Sequence, residues 1–296
     1  MSSQTSYPSA VHKLPNETLA TIFGHVSTAP DQIHHDGDNT LSYLSHASPF
    51  ALSHVCRHWR NMVLSTPDMW TNFSITKPGP LLINLVLCWL LRSGDKPLMF
   101  GLYQGGENDN FSEALTILLV LLSHAGRWKS IQLHVDCNID LLINKDRLPQ
   151  PVALESIHVV LNNRSNIELC VNLSEFLHSS PCLTEVIWDN SRVFVPLPEM
   201  KWTNVAKLTL HDIQTAHLLL DALSQCERLE TLNILGQVIQ DLDDTWNTPD
   251  VRLPNLRNFA VGQFVEFDED WTMPIYSTHG KLYTTLSRVP RALSHL

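Results

Sequence analysis

The chain has 296 residues, a formal net charge of −10, 44% hydrophobic and 17% charged residues. Such apolar content excludes a disordered chain and suffices to bury a core. An acidic chain without a Lys/Arg cluster excludes the usual footprint of a phosphate-backbone binder, so no nucleic-acid partner is expected. The longest strongly apolar runs, Leu81–Leu91 and Leu115–Leu122, fall short of the ~18 residues of a membrane span and read as buried helices. Met1–Ala10 is polar and lacks the apolar centre of a secretory signal. Six cysteines, Cys56, Cys88, Cys137, Cys170, Cys182 and Cys226, form no CxxC pair. Reduced thiols, no membrane partner and a cytoplasmic or nuclear location are therefore expected.

Residues 1–13 read as a disordered amino terminus. Leu14-Pro15-Asn16-Glu17 opens a helix: proline presets φ in the first turn and glutamate suits the positive end of the dipole. Leu19, Ile22, Phe23 and Val26 follow at i, i+3, i+4, i+7, one helical face. Residues 27–47 have no periodicity and read as an exposed loop. Its His34-His35-Asp36-x-Asp38 cluster has no fixed ligand spacing, so no metal is expected there. Replacing this loop by a short linker is expected to leave folding intact.

Ser48-Pro49 announces a second helix, with Leu52, Val55, Cys56, Trp59 and Met62/Val63 on its apolar face. His54 and His58 fall on another face beside Arg57 and Arg60, where solvent rather than a metal is their expected neighbour. A third short start, Thr66-Pro67-Asp68, ends in Met69-Trp70.

Each helix alone is unremarkable, but their order is specific. Leu14-Pro15-x-Glu17-x-Leu19-x-x-Ile22-Phe23, then Leu52-Ser53-His54-Val55-Cys56-Arg57-His58-Trp59-Arg60, then Ser65-Thr66-Pro67-Asp68-Met69-Trp70 resembles the F-box motif. The form common in mushroom-type fungi is nearest. The match spans residues 14–73, and the loop 27–47 is longer than short F-boxes carry.

From Trp70 onward a six-residue template recurs: apolar-x-x-apolar-x-apolar. It starts at Trp70, Pro97, Trp128, Leu154, Leu183, Val205, Leu229 and Leu256, at intervals of 22 to 31 residues. The last two apolar positions alternate, as on one side of a strand. Helical patterns lie between several templates, at Leu81–Leu91, Phe111–His124, Leu173–His178 and Ala216–Cys226. Such a unit buries its apolar side only by stacking on neighbours. The spacing overlaps the ~20–29 residues of leucine-rich repeats, and the units resemble the degenerate repeats that follow fungal F-boxes.

The expected fold class is thus α/β: an amino-terminal three-helix F-box, residues 14–73, then an irregular leucine-rich-repeat-like solenoid with a parallel strand array over 74–296. Tyr283–Val289 reads as a helix and Leu293–Leu296 as half of another template, so the array is expected to end inside a repeat. Ser294-His295-Leu296 is also similar to a peroxisomal Ser-Lys-Leu signal. Acidic stretches around Asp241–Asp250 and Glu266–Asp270 lack the spacing and glycine of a calcium loop and read as solvated.

No G-x-S-x-G, H-E-x-x-H or Walker motif occurs, and His211-Asp212 reads as an exposed strand-end pair. The chain is expected not to be an enzyme and to need no cofactor or metal. The resemblance implies a substrate-recognition adaptor of a Skp–cullin–F-box ubiquitin ligase. The F-box would bind a Skp-type adaptor, and through it a cullin, while the repeats bind a protein substrate. The motif's apolar positions fall on Leu14, Pro15, Leu19, Ile22, Phe23, Leu52, Val55, Cys56 and Trp59; each either meets the adaptor or holds the helices together. The alternative is a non-degradative interaction scaffold whose F-box-like helices cap the array.

Overall fold

The computed structural model describes residues 14–27, 49–76, 78–104, 111–135, 142–143, 147–161, 171–178, 180–189, 200–213, 216–238 and 251–261. The amino terminus, nearly all of the 27–47 loop, both acidic stretches and the carboxyl-terminal segment of the sequence reading lie outside these residues, as do Cys137 and Cys170. The chain divides into two units. One is Met1–Phe73 with Asn84–Leu98; the other is Ser74–Ile83 with Met99–Leu296.

In the first unit, α1 spans Asn16–Ser27. The Leu19 amide donates to the Pro15 carbonyl at 3.1 Å, so the Leu-Pro pair sits at the helix entrance as the sequence predicts. The expected single helix after Pro49 is instead two: α2, Pro49–Ser53, and α3, Arg57–Leu64. The break is local chemistry. Cys56 is extended (φ −158°, ψ 170°), and its Sγ accepts the Trp59 amide at 3.4 Å, capping α3. Short-range bonds from His54 and Val55 to Ala51 and Leu52 close α2. Arg60 Nε donates to the Ser53 carbonyl at 2.9 Å, satisfying a helix-end acceptor that would otherwise be orphaned. Val55 therefore lies in the turn rather than on a helical face.

A 3₁₀ turn, Pro67–Trp70, follows α3. Leu19, Phe23, Leu52, Met62, Val63, Met69 and Trp70 form the core of the unit. Trp70 is 1% exposed, and its indole donates to the Val63 carbonyl at 2.9 Å. Phe50 meets Trp70 edge-on at 5.1 Å and Trp89 at 4.8 Å. The Arg92 guanidinium lies 5.2 Å from the Trp70 ring centroid. Trp89 and Arg92 belong to α4, Pro80–Ser93, which ends at Gly94 in the left-handed region (φ +55°) that favours glycine.

The strands are β1 (Asn72–Thr76), β2 (Leu98–Tyr103), β3 (Trp128–Val135), β4 (Ser156–Leu161), β5 (Glu185–Asp189), β6 (Lys207–Ile213), β7 (Thr231–Val238) and β8 (Asn258–Val261). They form one sheet in chain order, with β3 to β8 parallel to their neighbours. Each template lies on one strand. The fourth positions align from strand to strand as Ile131, Ile157, Val186, Leu208, Leu232 and Phe259, and the sixth as Leu133, Val159, Trp188, Leu210, Ile234 and Val261. From Ile131 to Ile234 both rows are buried at 1% exposure or less.

The first position of six of the eight templates ends a recurring turn: Trp128, Leu154, Leu183, Val205, Leu229 and Leu256 each donate to the carbonyl three residues earlier. Helices α5 (Phe111–Leu122), α6 (Val171–His178) and α7 (Ala216–Ser224) fall where the sequence predicts. Trp128 repeats the arrangement of Trp70: its indole donates to the carbonyl seven residues earlier, Leu121, at 3.1 Å. Sideways, Phe100 and Phe176 flank it at 5.5 and 5.7 Å. Each buried aliphatic side chain contributes about 1.5–3 kcal/mol through removal from water.

Candidate partner-binding site

The nine residues singled out in the sequence divide by where the first unit places them. Leu19, Phe23 and Leu52 are buried, at 1%, 2% and 7% exposure. They hold the helices together, because α1 turns this side toward α3 and the 3₁₀ turn. Trp59 is half-buried, with its ring edge-on to Phe23 at 4.6 Å. Cys56 is half-buried at the α3 cap.

The others face outward. Leu14 is 36% exposed, Ile22 43% and Val55 59%, and Pro15 is exposed too. Ile22 leaves the face it was expected to share with Leu19 and Phe23. It stands three residues from Leu19, and the core takes up only the arc bearing Leu19 and Phe23. Val55 is exposed because the turn between α2 and α3 carries it.

Sequence reasoning missed three further exposed aliphatics of this unit: Leu64, Leu87 and Leu91. It also missed Phe50 and Trp89 as members of the aromatic core. The run Leu81–Leu91 looks apolar on every side, and such a helix is ordinarily buried. Instead α4 buries Val86, Leu90 and Ser93 and leaves Leu91 82% exposed. The one available signal was Trp89 itself, set among leucines at helical spacing from Val86 and Arg92.

The site's electrostatics are slight. Lys96 Nζ lies 3.1 Å from Asp68 Oδ1, with both side chains largely exposed, where such pairs contribute little. His54 is exposed in the turn and His58 half-buried in α3, so the two do not share one helix. Among the described residues no group of three His, Cys, Asp or Glu side chains is placed to hold a metal ion. What the surface offers is aliphatic contact area on a folded helical unit, the kind of surface on which protein partners dock.

The cap itself gives a first test. Serine is a better helix N-cap than cysteine, so Cys56→Ser is expected to melt at or slightly above the parent temperature. Cys56→Ala leaves the Trp59 amide without its acceptor and is expected to lose about 1 kcal/mol. Equal melting of the alanine variant and the parent would remove the cap from the account.

Residues 11–76 match the F-box-like family model. No curated protein matches the chain.

Proposed function

We propose, from the F-box-like domain at residues 11–76, that this chain is the substrate-recognition adaptor of a Skp–cullin–F-box ubiquitin ligase. F-box domains typically bind Skp-type adaptors. Here Leu14, Pro15, Ile22 and Val55 supply the contact, and the adaptor links the chain to a cullin. The observation that carries this is the set of aliphatic side chains left outside a unit whose core is already filled. Of the ten large hydrophobics exposed among the described residues, six lie in this unit: Leu14, Ile22, Val55, Leu64, Leu87 and Leu91.

The strand array is a set of degenerate leucine-rich repeats of the kind that follow fungal F-boxes, and it holds the protein substrate. Sequential parallel strands, the repeated entering turn and the helices α4 to α7 support that reading. The chain recruits rather than catalyses, and it works in the cytoplasm or nucleus. Among the described residues no helix is long and apolar enough to cross a membrane.

The test is co-purification of the full chain with a Skp-type adaptor. Leu14→Ala combined with Pro15→Ala is expected to raise the dissociation constant about thirty-fold, since truncating a docking anchor costs about 2 kcal/mol or more. The circular dichroism spectrum should not change, because neither residue belongs to the core. A folded parent chain that does not bind the adaptor at all would overturn the reading in favour of a scaffold capped by F-box-like helices. Undiminished binding by the double variant would move the contact elsewhere on the unit.

A further inference from the structure

Alternate residues of the strands point away from the buried rows. At the carboxyl ends of β3 to β7 these are His134, Val160, Asp189, His211 and Leu235, matched strand to strand. His158 stands two residues before Val160 on the same side of β4. Its ring lies 4.7 Å from that of His134, edge to face. From β2, Tyr103 packs on His134 at 4.6 Å, and its hydroxyl donates to Gln132 Oε1. His211 Nδ1 lies 4.0 Å from Asp189 Oδ2, and these side chains are 33% and 18% exposed. Three imidazoles from three strands thus share one patch with a single carboxylate, among the described residues. The charged groups nearer the strand starts, Glu185 and Lys207, pair with each other at 3.9 Å.

We propose that His134, His158 and His211, gathered beside Asp189, are a proton-operated switch that loosens strands β3 to β6 as the pH falls from about 7 to about 5. Asp189 can balance one positive charge at most, and a proton taken up by His158 arrives between two further imidazoles. Imidazolium rings at the 4.7 Å separation of His134 and His158 repel one another strongly where water is partly excluded. Burial lowers the proton affinity of His158 most; Asp189 works against that lowering, and the nearby His211 adds to it. Tyr103 stays neutral throughout, its phenol pushed up by burial. The unfolded chain therefore binds a proton at position 158 more readily than the folded one. This contribution to stability is full above the ordinary histidine value of about 6.5 and is lost as the pH drops below it. The opening begins at the strand ends, where the β6–β7 register already shifts between His211 and Ile213.

The test is urea denaturation of the full chain at about pH 7.5 and about pH 5.5, on either side of the histidine range. The parent midpoint is expected to fall at the lower pH. His158→Gln, which keeps hydrogen-bonding capacity without the charge, should lose at least half of that fall. His25→Gln, on the exposed side of α1, should keep all of it. A His158→Gln chain with the parent's full pH shift would overturn the proposal. Should that variant not fold, the parent labelled with ¹⁵N-histidine answers the same question. One imidazole should stay neutral below the ordinary range, and its signal should move in His134→Gln. A spectrum in which every histidine titrates normally would overturn it equally.

Discussion

Trp70→Ala is expected to unfold the first unit or to lower its stability by about 3–5 kcal/mol, the cost of removing a buried aromatic from a packed core. Trp70 is 1% exposed, with Phe50 and Trp89 around its ring and the Arg92 guanidinium near its ring centroid. Its indole also supplies a donor for the Val63 carbonyl. Truncation opens a cavity and removes the shorter of two hydrogen bonds to that carbonyl, which keeps only the Thr66 amide at 3.3 Å, so two penalties fall together. They are separable. Trp70→Phe keeps an aromatic ring but no N–H, and should lose about 1 kcal/mol, the net contribution of one hydrogen bond, because the Val63 carbonyl keeps the Thr66 amide. Domains are stable by only about 5–15 kcal/mol in total. The alanine variant should therefore be cleaved far faster than the parent by a protease under native conditions. Equal urea midpoints for Trp70→Ala and the parent would mean that the ring is not packed as described.

A comparable loss is expected at the centre of the sheet. Leu208 in β6 is fully buried and aligned between Val186 of β5 and Leu232 of β7. Leu208→Ala should cost about 2–5 kcal/mol. Lys207, one residue earlier, points to the other side and makes only an exposed ion pair with Glu185 at 3.9 Å. Lys207→Ala should cost about 0–1 kcal/mol, because solvent screens such pairs. Urea denaturation of both variants tests the alternation directly. Similar losses at 207 and 208 would show that the two sides of β6 are not the buried and open sides assigned to them.

The strand array was legible in the sequence because its information is local. An apolar-x-x-apolar-x-apolar segment specifies a turn, a strand and the side that must leave water, whatever its neighbours are. All eight templates lie on strands, and their fourth and sixth positions stack in register from β3 to β8. The first helix and the order of the helical motif were legible for the same reason. The domain match at residues 11–76 covers the stretch whose motifs carried the resemblance.

What only the tertiary structure decided was how each apolar side is divided between core and solvent. Ile22 and Val55 are as hydrophobic as Leu19 and Leu52, and periodicity gave them the same role. The core has room for one arc of α1, and the Cys56 cap turns the chain before Val55 can join α3. The α4 helix reads as apolar all round, yet Trp89 is drawn to Phe50 and Trp70 while Leu87 and Leu91 are left outside. The histidine patch follows the same logic. With the templates aligned, His134, Asp189 and His211 share one position after the sixth, but the sequence shows this only once the units are known to stack in register. Long-range register brings together groups that lie 22 to 31 residues apart in the chain, the spacing of the templates, and no local pattern encodes which of them will meet.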